Sequence, residues 1–170
     1  MADLSRQAGR TGQAKWRALA IPILIAILAG ALFFYLSADH KPDFYIDPSD
    51  QQRVSSGEKI YVQYCAACHG AKLEGQPDWR TRLANGRLPA PPHDETGHTW
   101  HHADRLLFDI VKHGLVPGRT APPGYESDMP AYGNILSDTD IVAVLAYIKS
   151  TWPTAVQTMQ QEVNQQHHRE

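Results

Sequence analysis

Cys65-Ala66-Ala67-Cys68-His69 is the stretch that decides the fold. Two thiols two residues apart, with a histidine directly after the second, form the attachment signature of c-type haem. The spacing follows from the chemistry. Each thiol adds to one vinyl group of the macrocycle, giving two thioether links, and the next residue, His69, then lies beneath the iron as proximal ligand. Cys65 and Cys68 are the two cysteines of the chain, so neither a disulfide elsewhere nor a Cys-rich zinc cage is available. Two other chemistries use a Cys-x-x-Cys pair. A thioredoxin-like motif needs a βαβ context, which the sequence lacks. A zinc site needs two more ligands, which His93, His98, His101 or His102 offer.

Upstream, Ala18 to Leu36 (ALAIPILIAILAGALFFYL) carries no charge over 19 residues. As a helix it is about 28 Å long, close to the ~30 Å hydrocarbon core of a bilayer. Arg6, Arg10, Lys15 and Arg17 precede it against Asp3, and Asp39, Lys41, Asp43, Asp47 and Asp50 follow. The positive-inside rule places residues 1–17 in the cytoplasm and everything after Ser37 on the periplasmic side of the inner membrane, where c-type haem is attached. A cleaved signal peptide competes with an anchor, with Ala29-Gly30-Ala31 or Ala38 as cutting sites. Against cleavage, the apolar run is longer than a signal core and continues as Leu32-Phe33-Phe34-Tyr35.

The expected organisation is 1–17 cytoplasmic, 18–36 transmembrane anchor, 37–48 tether, 49–153 haem domain and 154–170 a polar, weakly amphipathic tail without assigned chemistry. Pro42 and Pro48 argue against helix in the tether. Ser49 and Gln52 have the form of a capping box, opening a helix with Gly57, Tyr61 and Tyr64 on one face and running into Cys65. Residues 70–100 are too rich in Pro and Gly for more than short helices. A middle helix is predicted over His102–His113, with an apolar stripe of Leu106, Leu107, Ile110 and Val111 and Gly114 as its stop. The last strong helix runs from Ser137 to Trp152, capped by Ser137 with Asp140, with Ile141, Val144, Leu145 and Ile148 on its apolar face. Without residues 1–17, twelve basic residues stand against seventeen acidic ones, a net charge of −5. That excludes nucleic acid as a partner and favours a basic docking surface on a protein redox partner.

An electron carrier keeps its haem iron six-coordinate. Met129, in Ser127-Asp128-Met129-Pro130-Ala131-Tyr132, is the candidate distal ligand, because a Met-Pro in a Pro/Gly loop ahead of a helix is a poor site for core filler. The group His93, His98, His101 and His102 has other readings: an added copper or zinc site, a replacement for Met129, or caps and contacts of the haem domain surface.

With these features in order, the chain resembles the class I c-type cytochromes. The matching elements are Gly57-x-x-x-Tyr61, Cys65–His69, Met129-Pro130 and a final helix carrying Tyr147, over about residues 50–152. Trp79, Leu88-Pro89-Ala90-Pro91-Pro92-His93 and Gly97-His98-Thr99-Trp100-His101-His102 look like a membrane-anchored bacterial subgroup. The resemblance implies an all-α class I cytochrome c fold wrapped around one covalent haem c, with His69 and Met129 as axial ligands and crossing first and last helices. It implies an electron carrier or a subunit of a respiratory or photosynthetic electron-transfer complex, not an enzyme in itself, with no small-molecule substrate. The alternatives are a haem subunit with a labile sixth site, acting on peroxide or a small gas, and a copper- or zinc-handling protein using the cluster from His93 to His102. The family also sets a proline carbonyl against the proximal imidazole, and here Pro77, Pro89, Pro91 and Pro92 compete for that place.

Overall fold

The crossing of two helices organises the haem domain. In the computed structural model, which describes residues 26–30 and 44–167, helix α1 spans Gln51–Tyr64 and ends on the haem motif. A single turn, α2, covers Ala66–His69. After a long irregular stretch come a 3₁₀ turn at Thr99–His101, α3 at Asp104–His113, α4 at Asp138–Ser150 and α5 at Thr154–His167. The chain divides into two units, 1–40 and 41–170. In the first, residues 26–30 are described and are helical. The expected anchor over 18–36 otherwise lies outside the described residues. Among the described residues no helix is long and apolar enough to cross a membrane.

Helices α1 and α4 meet at Gly57. A Cβ there would fall 2.0 Å from the carbonyl oxygen of Ala143 and 3.0 Å from the Cβ of Tyr147, so only glycine allows this approach. The contact brings Tyr61, fully buried, to a ring-centroid distance of 5.4 Å from Tyr147. The predicted face of α4 is the core: Ile141, Val144, Leu145 and Ile148 are all buried, joined by Leu107, Phe108, Leu136 and Trp152. At about 1.5–3 kcal/mol for each large apolar side chain buried, this cluster is the main favourable contribution to the fold. The Ser137–Asp140 capping box forms in both directions, and Gly114 ends α3 at a φ of 78°.

Four expectations need correction. The cap of α1 is Asp50, whose carboxylate accepts the Arg53 N–H at 3.1 Å, while Ser49 turns back to Asp47. A carboxylate at this position also complements the positive end of the helix. The middle helix begins at Asp104, not His102, because Ala103 is extended and acts as its N-cap. The expected tether does not reach residue 48: Ile46 is 1% exposed and belongs to the core cluster, with Phe44 packed against it. The polar tail is likewise built into the domain, since Gln160 and Asn164 of α5 are buried.

One carboxylate explains the last two corrections. Asp104 is fully buried and accepts five hydrogen bonds. Lys149 Nζ on α4 donates to both of its oxygens, at 2.7 and 2.8 Å. Ile46 N–H donates at 2.8 Å, Gln160 Nε2 at 2.8 Å and Asn164 Nδ2 at 3.0 Å. Asn164 Oδ1 in turn accepts the Asp104 N–H at 2.7 Å. This knot ties the incoming chain, α3, α4 and α5 together. Burial pushes the Lys149 ammonium below its ordinary pKa, against the pull of Asp104. Removing one partner of such a pair strands the other, and Asp104 is the hub. Asp104→Ala is expected to cost about 3–5 kcal/mol. Lys149→Met is expected to cost less, because Asp104 keeps its other three donors. Denaturant unfolding of the two holoprotein variants checks this order, and equal or reversed losses would contradict it.

Candidate functional site

The end of α1 delivers the haem motif. Cys65 is the residue at which α1 ends and α2 begins, its N–H donating to the Tyr61 carbonyl at 2.8 Å. Cys68 and His69 follow within the single turn of α2, and the His69 N–H returns to the Cys65 carbonyl at 2.9 Å. Neither cysteine is in a disulfide; Cys65 is half-buried and Cys68 exposed. Burial, reinforced by Cys68, pushes the Cys65 thiol up to about 11. The turn is locked from below. Tyr61 Oη donates to the Gly70 carbonyl at 2.8 Å and lies 3.3 Å from that of His69. Burial raises the Tyr61 pKa and keeps this hydroxyl a donor.

His69 is 8% exposed, and its Nδ1 lies 2.9 Å from the carbonyl oxygen of Pro91. The carbonyl can only accept, so Nδ1 carries the proton and Nε2 keeps its lone pair. Burial pushes the His69 pKa down, against the pull of the Pro91 carbonyl, and so favours the neutral ring that a metal requires. Among the four competing prolines, Pro91 therefore holds this position. Gly75 makes the approach possible: a Cβ there would sit 2.4 Å from Pro92 N and 2.6 Å from the Pro91 carbonyl carbon. Gly75 N–H also donates to the His69 carbonyl at 2.8 Å, closing the loop under the histidine.

The four grouped histidines separate. His93 stacks on His69 with ring centroids 3.9 Å apart and planes 21° from parallel. Its Nδ1 lies 2.7 Å from Thr99 Oγ1, and its carbonyl accepts the Trp152 indole N–H at 2.7 Å. Burial and the neighbouring His69 hold His93 neutral, well below its ordinary pKa. His98, His101 and His102 form a separate group, with His98 at centroid distances of 4.9 Å from His101 and 4.8 Å from His102. Among the described residues no group of three or more His, Cys, Asp or Glu side chains is placed to hold a metal ion. The zinc reading of the cysteine pair and the copper or zinc reading of the histidines find no site there.

Met129 lies in the irregular segment between α3 and α4, partly buried, with its N–H on Ser127 Oγ at 3.0 Å. Downstream, Tyr132 N–H donates to the Val111 carbonyl at 2.9 Å and Tyr132 Oη to the Tyr64 carbonyl at 2.8 Å. The segment is thereby fastened to the ends of both α3 and α1. On α3, Leu107 and Phe108 are buried in the core, while Leu106 and Ile110 of the predicted stripe stay half-exposed outside it. Two cysteine sulfurs and a neutral imidazole with its Nε2 lone pair kept, gathered at one turn, fit a covalently held haem. The sequence left Pro91 among four candidates and gave no role to the stacking of His93. Its position two residues after Pro91 is the signal that was available.

No solved structure matches the chain. The family model for cytochrome c matches residues 54–152, from the first helix through Trp152, and so spans the motif, the Pro91 loop, Met129 and α4. The all-α fold and the donor set on α2 agree with that match. The chain belongs to the cytochrome c family, an electron-transfer haem protein with covalently bound haem c.

Proposed function

We propose that this chain is a membrane-anchored monohaem cytochrome that passes single electrons between protein partners on the periplasmic face of the inner membrane. The observation that carries the reading is the α1–α2 junction: Cys65, Cys68 and the bare Nε2 of His69 on one turn, with His69 Nδ1 held by the Pro91 carbonyl at 2.9 Å. Haem c supplies the one-electron chemistry of its iron, cycling between the ferric and ferrous states.

The protein residues do the rest. Cys65 and Cys68 hold the cofactor by thioether links. His69 provides the proximal nitrogen, and the Pro91 carbonyl fixes its ring plane and raises its basicity. His93 stacks on the face of the His69 ring at a centroid distance of 3.9 Å, which leaves the imidazole little freedom to turn. Met129 would provide the second axial ligand, a soft sulfur donor that favours the ferrous state and raises the potential. With His69 and Met129 both ligating, the bound haem would have no site left for a substrate, and that arrangement would suit a carrier. The net charge of −5 outside residues 1–17 favours partners with a basic docking face.

The anchor reading rests on the uncharged run 18–36 with its basic leading flank. Because Phe44 and Ile46 already belong to the folded domain, the linker is residues 37–43. Its reach is at most about 25 Å. A domain on so short a linker serves partners at the membrane surface, where tethering keeps the effective concentration high.

Two outcomes are expected. Met129→Ala should keep its covalent haem, lose the weak sulfur-to-iron charge-transfer band of the oxidised spectrum, and fall in potential by on the order of 0.1 V, a fraction of the range axial ligands command. An unchanged band and potential would remove Met129 from the site. The native protein should resist extraction from membranes by high salt, dissolve in detergent, and keep residues 1–36 by intact mass. A mature N-terminus at Leu32 or Asp39 would identify the segment as a cleaved leader instead.

A further inference from the structure

Arg87 joins the loop on the proximal side of the site to the segment that carries Met129. It sits on a tight, internally braced loop. Leu83 N–H donates to the Arg87 carbonyl at 2.8 Å and Gly86 N–H to the Leu83 carbonyl at 2.9 Å. Arg82 Nη1 donates to the Gly86 carbonyl at 2.6 Å, and Arg87 N–H to Asn85 Oδ1 at 3.0 Å. The loop is held at its far end too. Gln76 N–H donates to the Ala90 carbonyl at 2.9 Å, and Ala90 N–H to Gln76 Oε1 at 3.1 Å. The next residue is Pro91, whose carbonyl holds His69.

From this platform Arg87 reaches across. Its Nη1 bonds to the carboxylate of Asp128, the residue before Met129. Its Nε is shut off from solvent without a hydrogen-bond partner, with Glu126 Oε2 nearby at 3.6 Å. Arg82, on the same loop, lies over the Tyr125 ring at 5.9 Å. The two sides of Met129 are thus held differently. Downstream, backbone bonds at Tyr132 and Gly133 and the Tyr132 hydroxyl fasten the chain to α3 and α1. Upstream, the ties run to the loop 82–87 through these arginines, while the local bonds (Tyr125 to Pro122, Met129 to Ser127) stay within the segment.

We propose that Arg87 is a positioning residue for the sixth iron ligand: its ion pair with Asp128 holds the Met129 segment closed against the loop that also orients His69. This rests on the reading of Met129 as that ligand. An exposed ion pair adds little to global stability. Its effect falls instead on a local equilibrium, the lifting of the upstream segment, because the downstream side stays pinned. An added ligand that competes with Met129 binds the lifted state, so its apparent affinity follows the fraction lifted.

The test uses the full-length ferric holoprotein and imidazole as the probe, with variants Arg87→Gln, Arg87→Lys, Asp128→Asn, the Arg87→Gln/Asp128→Asn double variant and Met129→Ala. In Arg87→Gln, imidazole affinity should rise several-fold. The charge-transfer band should melt further below the helices than it does in the wild type. Arg87→Lys should restore part of the difference, and the double variant should be no worse than either single one. Wild-type imidazole affinity in Arg87→Gln, or a band and helices that melt together at a lower temperature, would overturn the proposal while leaving the Met129 reading intact. A charge-transfer band that survives in Met129→Ala would instead overturn the Met129 reading and this inference with it.

Discussion

The domain depends on one close approach, the backbone of Gly57 against the carbonyl of Ala143. Helix α1 ends at Tyr64, so the angle and depth at which it crosses α4 decide where Cys65, Cys68 and His69 are delivered. Any side chain at Gly57 would push the helices apart. Tyr61 would then lose its contact with Tyr147 and its hydrogen bond to Gly70, and the turn that carries the motif would lose its floor. The packing of the core and the chemistry of the site are in this sense one constraint, met at one residue.

Around that crossing the irregular parts of the chain are held by polar contacts rather than by a large core. The Pro91 loop is fixed to His69, the Met129 segment to α1 and α3 through Tyr132, and the two ends of the domain to the Asp104–Lys149 knot. These contacts suit an electron carrier. A haem-attachment turn braced in this way has little to rearrange when one electron arrives. The knot has a further consequence. Since Ile46 N–H bonds directly to Asp104, the chain is fixed to the core of the domain from Ile46 onward.

Much of this was legible in the sequence, for physical reasons that differ from element to element. The spacing of Cys65, Cys68 and His69 follows from covalent chemistry and has few alternatives. The face of α4 and the Ser137–Asp140 box follow from helix geometry, and the burial of Ile141, Val144, Leu145 and Ile148 bears them out. The start of α1 was not decidable, since Ser49 and Asp50 are both good caps and the choice turned on Asp47. The knot escaped because its members are polar and distant in sequence, and polar residues are read as surface by default. Lys149 carried the one available hint, standing four residues after Leu145 and eight after Ile141 on an otherwise apolar face. Pro91 could not be chosen among four prolines, because the choice depends on how Gly75 lets the loop fold back under His69.

The central claim is that Cys65 and Cys68 hold one haem above His69. Intact mass of the denatured full-length protein, taken before and after treatment with a thiol alkylator, tests it most directly. The expected result is the chain plus one haem, with no alkyl group added at either cysteine. A haem-free mass that gains two alkyl groups, from protein that was coloured before denaturation, would show a haem held without thioether links and would contradict the claim.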